Sequence, residues 1–217
     1  MKMEAMAVTL PEVAGHPNRA PFTGVLTLVD EPSTKPPSGA RGHRVILTRR
    51  AALAALPSLL GMAVDYAPSW DGHDARRKCG IITHADVEGP RLQVAGYLFA
   101  KDFPEVERQM LQSLPGIMGM SWELADAHVE DMRADIWTLT RATFTGAAIL
   151  LREKAAYRNT SFELGTARCR STIGRPAFPE RVHAGAVRHL REGAGLTLPK
   201  QETRKEQTWN HRQAKAW

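Results

Sequence analysis

Ser121 stands in the stretch GMSWEL, residues 119–124, where large and small side chains alternate. Met118, Met120, Trp122 and Leu124 share one face at a spacing of two, and Gly119, Ser121 and Glu123 share the other. That is the pattern of a half-buried strand. Its apolar face can anchor in a core while the opposite face presents one hydroxyl, with no side chain at Gly119 to crowd it. A serine hydroxyl becomes a nucleophile only when a base is held within hydrogen-bond reach.

Three polar clusters could carry other chemistry. Asp71, His73 and Asp74 lie in DGHDARRKC, His84 and Asp86 in THAD, and Asp126 and His128 in DAH. A histidine and an aspartate two residues apart on a strand project together and can bind a borderline cation. No HExxH or Cys/His framework accompanies them, so no metal or cofactor is expected. The Gly-x-Ser-x-Gly elbow is absent because position 123 is Glu. GARG, at 39–42, lacks the Lys-Ser/Thr of a phosphate loop.

These residues need a scaffold, and 217 residues with 43% hydrophobic content suffice for one domain plus extensions. The longest apolar run, 51–64, is too short for a bilayer span and is broken by Pro57 and Gly61. Cys79 and Cys169 are too far apart in sequence for metal-ligand spacing, which fits a reduced, cytoplasmic setting. Charge is uneven. Residues 152–217 carry 14 Lys/Arg against 6 Asp/Glu, a basic tail that reads first as a solvated extension, with nucleic acid not expected as a partner.

The alternation predicts strands near 22–29, 79–86, 92–99, 117–125 and 136–149, with shorter ones at 43–48 and 62–67. A helix is predicted over 48–61, capped by Thr48 and interrupted at Pro57, and another over 103–113, capped by Asp102. Residues 1–20 read as a loose leader and 21–157 as the folded unit. Residues 158–217 read as a basic, disordered tail with at most a short helix near 181–192.

In order and spacing, these segments resemble the prohead (capsid maturation) protease family of tailed phages. The matching features are a histidine loop running into CGII, the hairpin VEGPRLQVAGYLFAKDFPEV, a helix, GMSWEL, and FTGAAILLREKAAY. The resemblance covers about 21–157. It implies a mostly β, α+β fold: a compact herpesvirus-protease-like β-barrel with flanking helices. It implies a serine endopeptidase that cleaves scaffold or capsid-protein extensions inside the assembling prohead, in the host cytoplasm. It places the catalytic histidine on His73 and the nucleophile on Ser121. Phage major capsid and scaffold proteins would be the substrates, with self-cleavage and a homo-oligomer expected and no membrane partner.

The family's acidic third residue falls at about Arg141, and arginine has no acceptor with which to orient an imidazole. Glu123, Asp71 and Asp74 are the candidates to replace it. The same departure supports an alternative, a catalytically inactive homologue retained as a capsid-assembly interaction protein.

Overall fold

The computed structural model describes residues 6–7 and 15–165. Among the described residues the strands are β1 (Met6–Ala7), β2 (Ala20–Leu28), β3 (Arg44–Leu47), β4 (Ala63–Asp65), β5 (Lys78–Glu88), β6 (Arg91–Leu98), β7 (Met118–Val129), β8 (Ile136–Leu151) and β9 (Ser161–Leu164). The helices are α1 (Arg49–Ala55) and α2 (Pro104–Gln112). All the strands join one curled, half-barrel sheet, so the described fold is mostly β.

The long strand β8 is the spine of this sheet. Its first residues pair with β3 in parallel, and Ala147 and Ala148 pair with Val64 and Asp65 of β4, also in parallel. Its other edge takes β7 antiparallel. From β4 the order runs on through β5, β6 and β2 to β9. β5 and β6 form the expected hairpin, turning at Gly89, whose φ of 54° is open to glycine at little cost. The sheet curls until β2 meets β7: a Cβ on Gly24 would lie 2.7 Å from Met120 Sδ. Val64, Ile82, Leu92, Leu98, Met120, Phe144 and Ile149 fill the interior.

Local chemistry explains both helices. Thr48 caps α1 by accepting the Ala51 N–H at 3.2 Å, and Ala51, Ala52 and Ala55 are buried. Pro57 then tightens the chain into a 3₁₀ turn over Leu56–Leu59. At α2 the expected cap is not the one used. Phe103 occupies the cap position without a side-chain bond, Pro104 opens the helix, and the Asp102 carboxylate accepts from Asn18 Nδ2 at 2.7 Å instead.

Two boundaries move. β1 lies in the stretch read as a loose leader and pairs with β5. β9 lies beyond residue 157, within the stretch read as tail, and adds an edge to β2. Four residues with two large apolar side chains, Phe162 and Leu164, are too few to set a period, yet Phe162 is buried and its ring stacks on Phe22 at 5.0 Å. Residues 166–217, including the helix considered near 181–192, lie outside the described residues. No helix among the described residues is long and apolar enough to cross a membrane.

Candidate active site

Asp65, Ala148 and Ser121 form a row across three strands. Asp65 of β4 and Ser121 of β7 are both register partners of Ala148 on β8. Partners across a ladder project to the same side of a sheet. Val64, Ala147 and Trp122 form the next row and face the core, so the first row faces away from it. Glu123 is on the Ser121 face, opposite Gly146. A Cβ at Gly146 would come 2.5 Å from Glu123 Oε2, so the bare glycine lets this carboxylate lie across β8.

The loop 66–77, between β4 and β5, carries His73 over this face. His73 Nδ1 is 3.2 Å from Asp65 Oδ1 and 4.0 Å from Glu123 Oε1. The ring is largely buried, and neither of its nitrogens makes an aligned hydrogen bond. Asp65 Oδ1 is unsatisfied in the same sense, so its 3.2 Å approach to the ring is a close electrostatic contact and not a finished hydrogen bond. No hydrogen bond joins His73 to Ser121.

Several bonds hold the loop. Tyr66 is buried, stacks on Trp70 at 5.0 Å and donates its hydroxyl to Glu105 of α2. Arg77 Nη1 reaches the same hydroxyl at 3.4 Å, closing the loop at its other end. Trp70 sits at a φ of 56°, and its carbonyl accepts the Leu151 N–H at 2.8 Å.

Asp65 is the acid that the site brings to His73, and it was not among the sequence candidates. Only 1% exposed, it accepts from Lys78 Nζ at 2.6 Å through its second oxygen. A bulge between Val64 and Asp65 shifts the β5 register so that Lys78 stands opposite Asp65. Burial pushes the Asp65 carboxyl up, but His73 and Lys78 together outweigh it and hold it below the usual carboxylate range. The sequence signal was available: a carboxylate inside the apolar run MAVDYA. A charge buried there needs a partner.

The other candidates go elsewhere. Asp71 accepts the Ser69 hydroxyl. Asp74 is tied to Arg76 at 3.0 Å and Arg77 at 3.6 Å. Arg141 is exposed, opposite His128. It stands seven residues from Ala148 along β8, about 23 Å at the strand rise. His128 Nδ1 pairs with Thr140 Oγ1 at 2.9 Å, and Asp86 accepts the Val87 N–H at 2.6 Å. Among the described residues no group of three or more His, Cys, Asp or Glu could hold a metal ion.

Gly119 also differs from expectation. It is buried, and a Cβ there would come 2.6 Å from Thr160 Oγ1 and 3.2 Å from Arg152 Cα. Its missing side chain admits the 152–160 segment, so it is a packing glycine and leaves no open room for substrate. Comparison with protein-family models and with curated proteins finds no match to this chain.

Proposed function

We propose that the chain is a serine endopeptidase in which Ser121 is the nucleophile, His73 the general base and Asp65 the acid that orients the imidazole. The observation that supports it best is the shared row of Asp65, Ala148 and Ser121, with His73 lying against its acidic end. Ala148 contributes only a methyl group between them, which leaves space above the sheet for a ring.

With Nδ1 protonated and directed at Asp65, the free Nε2 lone pair can accept the Ser121 proton as Oγ attacks a peptide carbonyl carbon. The imidazolium so formed is stabilised by Asp65 and by Glu123 at its flank. It then protonates the departing amine, leaving an acyl-serine; His73 next takes a proton from water as that water attacks the ester carbonyl, and returns it to Ser121 Oγ as the acid product leaves. Lys78 keeps Asp65 ionised throughout, so the aspartate serves as a fixed charge.

In its finer form the proposal is a capsid-maturation protease of tailed phages, related in fold to the herpesvirus assembly proteases. It would act on scaffold and capsid-protein extensions, and on itself, inside the assembling prohead in the host cytoplasm. The order of the sequence motifs supports this, and a curled, mostly β sheet with two helices is compatible with it. The inactive, assembly-contact reading has its own observation: both His73 nitrogens lack an aligned partner and no bond joins His73 to Ser121.

Fluorophosphonate labelling separates the two. Wild type should be labelled at Ser121, while Ser121→Ala and His73→Ala should not, and intact mass should show slow self-cleavage only in the wild type. An unlabelled, uncleaved wild type that co-sediments with capsid protein would select the second reading.

A further inference from the structure

Arg152 and Arg158, with Glu153 and Asn159, line an open concavity of about 410 Å³. Both arginines are exposed, and neither guanidinium has an ion-pair or hydrogen-bond partner among the described residues. Their backbones, by contrast, are fixed: the Arg152 N–H donates to the Ile117 carbonyl at 2.8 Å and the Arg158 N–H to Thr34 Oγ1 at 3.2 Å. Lys35 Nζ lies 3.2 Å from the Glu153 carbonyl oxygen and adds a third positive charge. Residues 15–165 as a whole hold 17 Lys/Arg and 17 Asp/Glu. Against that neutral background the concavity is a local cationic site.

Its position ties it to Ser121. Arg152 packs against Gly119, two residues before Ser121, and its Nη1 would lie 3.2 Å from a Cβ on Gly116. Ile117, whose carbonyl takes the Arg152 N–H, and Leu114, three residues earlier on the chain that enters β7, are 44% and 74% exposed. From Gly116 to Ser121 is roughly 16 Å of extended chain, or about five residues.

We propose that this concavity binds an acidic side chain of a peptide substrate about four to five residues from the bond at Ser121, with an apolar neighbour against Leu114 and Ile117. Its role in cleavage rests on the protease reading, but the binding itself does not. Arginine forks suit carboxylates because two parallel N–H donors meet two oxygens. Glu153 in the lining and the apolar flank favour a peptide over a polyphosphate backbone.

The test uses full-length Ser121→Ala, so that peptide stays intact, and a fluorescein-labelled peptide with alternating Glu and Leu. Anisotropy should report binding that weakens at least ten-fold in Arg152→Glu/Arg158→Glu and three-fold or more in Arg152→Gln/Arg158→Gln. Arg141→Glu, a charge reversal elsewhere on the sheet, should bind as the parent does. A Gln/Leu peptide should not bind. Equal binding by the Arg152/Arg158 variants, each shown folded by near-ultraviolet circular dichroism, would overturn the proposal and place the contact on the basic C-terminal stretch. So would equal competition by a single-stranded oligonucleotide. A peptide that binds as predicted but is left uncut by wild type would count against the protease reading alone.

Discussion

Asp65→Asn tests the arrangement most directly, because the two carboxylate oxygens have separate duties. Oδ2 takes a 2.6 Å bond from Lys78, and Oδ1 faces His73 Nδ1 at 3.2 Å. Asparagine keeps the shape but removes the charge from both contacts. Losing a charge-assisted hydrogen bond costs about 1.5–3 kcal/mol. The larger penalty of a stranded buried ion does not apply, since Lys78 is 38% exposed and can turn to water. The expected loss is therefore about 1.5–3 kcal/mol at pH 7, a Tm lower by about 3–12 °C. Because the Asp65 carboxyl titrates lower in the folded state than in the unfolded chain, its contribution is complete above the unfolded pKa of about 3.9 and fades as pH falls through the folded value. The gap between the wild-type and Asp65→Asn melting curves should accordingly be constant above about pH 4 and narrow as the pH falls below it. Catalysis should suffer far more, since removing the orienting acid of a serine triad costs about 10⁴ in rate. The assay is the fluorophosphonate labelling rate at pH 7, beside urea melts at pH 7 and pH 3. Labelling of Asp65→Asn at the wild-type rate, in a protein whose Ser121→Ala variant does not label, would refute the orienting role.

Further outcomes follow from neighbouring contacts. Gly119→Ala should lose about 1–3 kcal/mol in urea melts, because its Cβ would come 2.6 Å from Thr160 Oγ1 and 3.2 Å from the Arg152 backbone. Arg141→Ala should label at the wild-type rate and leave stability within about 0.5 kcal/mol, given its exposure and its distance from Ala148 along β8. Burial pushes the Cys79 thiol up to about 12, so in a Cys169→Ser background Ellman's reagent should find no thiol until denaturant is added. Glu105→Gln, which weakens the bond from α2 to Tyr66, should slow labelling more than it lowers Tm.

Periodicity made most of the sheet legible before any coordinates. The β5–β6 hairpin, β7 and β8 fall close to their expected positions because each alternates over seven residues or more. Thr48 likewise caps its helix as its type suggests. What escaped was chemistry that depends on neighbours distant in sequence. Asp65 sits in a three-residue strand, too short for a pattern, and its meaning comes from pairing with β8 more than 80 residues later. Asp71 and Asp74 flank His73 in sequence, but in a loop adjacency does not fix direction, and both turn to local partners. β9 carries too few residues for any period, and its place is decided by Phe162 against Phe22.

The irregularities of the β7–β8 ladder are all at one end. Its register shifts lie between Glu123 and Val129, whereas Met118 to Glu123 pair with Leu151 to Gly146 without a break. A one-residue slip in a ladder exchanges its two faces, which here would bury Ser121 and expose Trp122. The bulges act as slack between the turn at 130–135 and the Ser121 face. Residues inserted or lost at that turn can be taken up before they reach Glu123, so the turn is free to change length while the hydroxyl keeps its side of the sheet. A domain built this way can vary its outer hairpin to suit different surroundings without retuning the residues around Ala148.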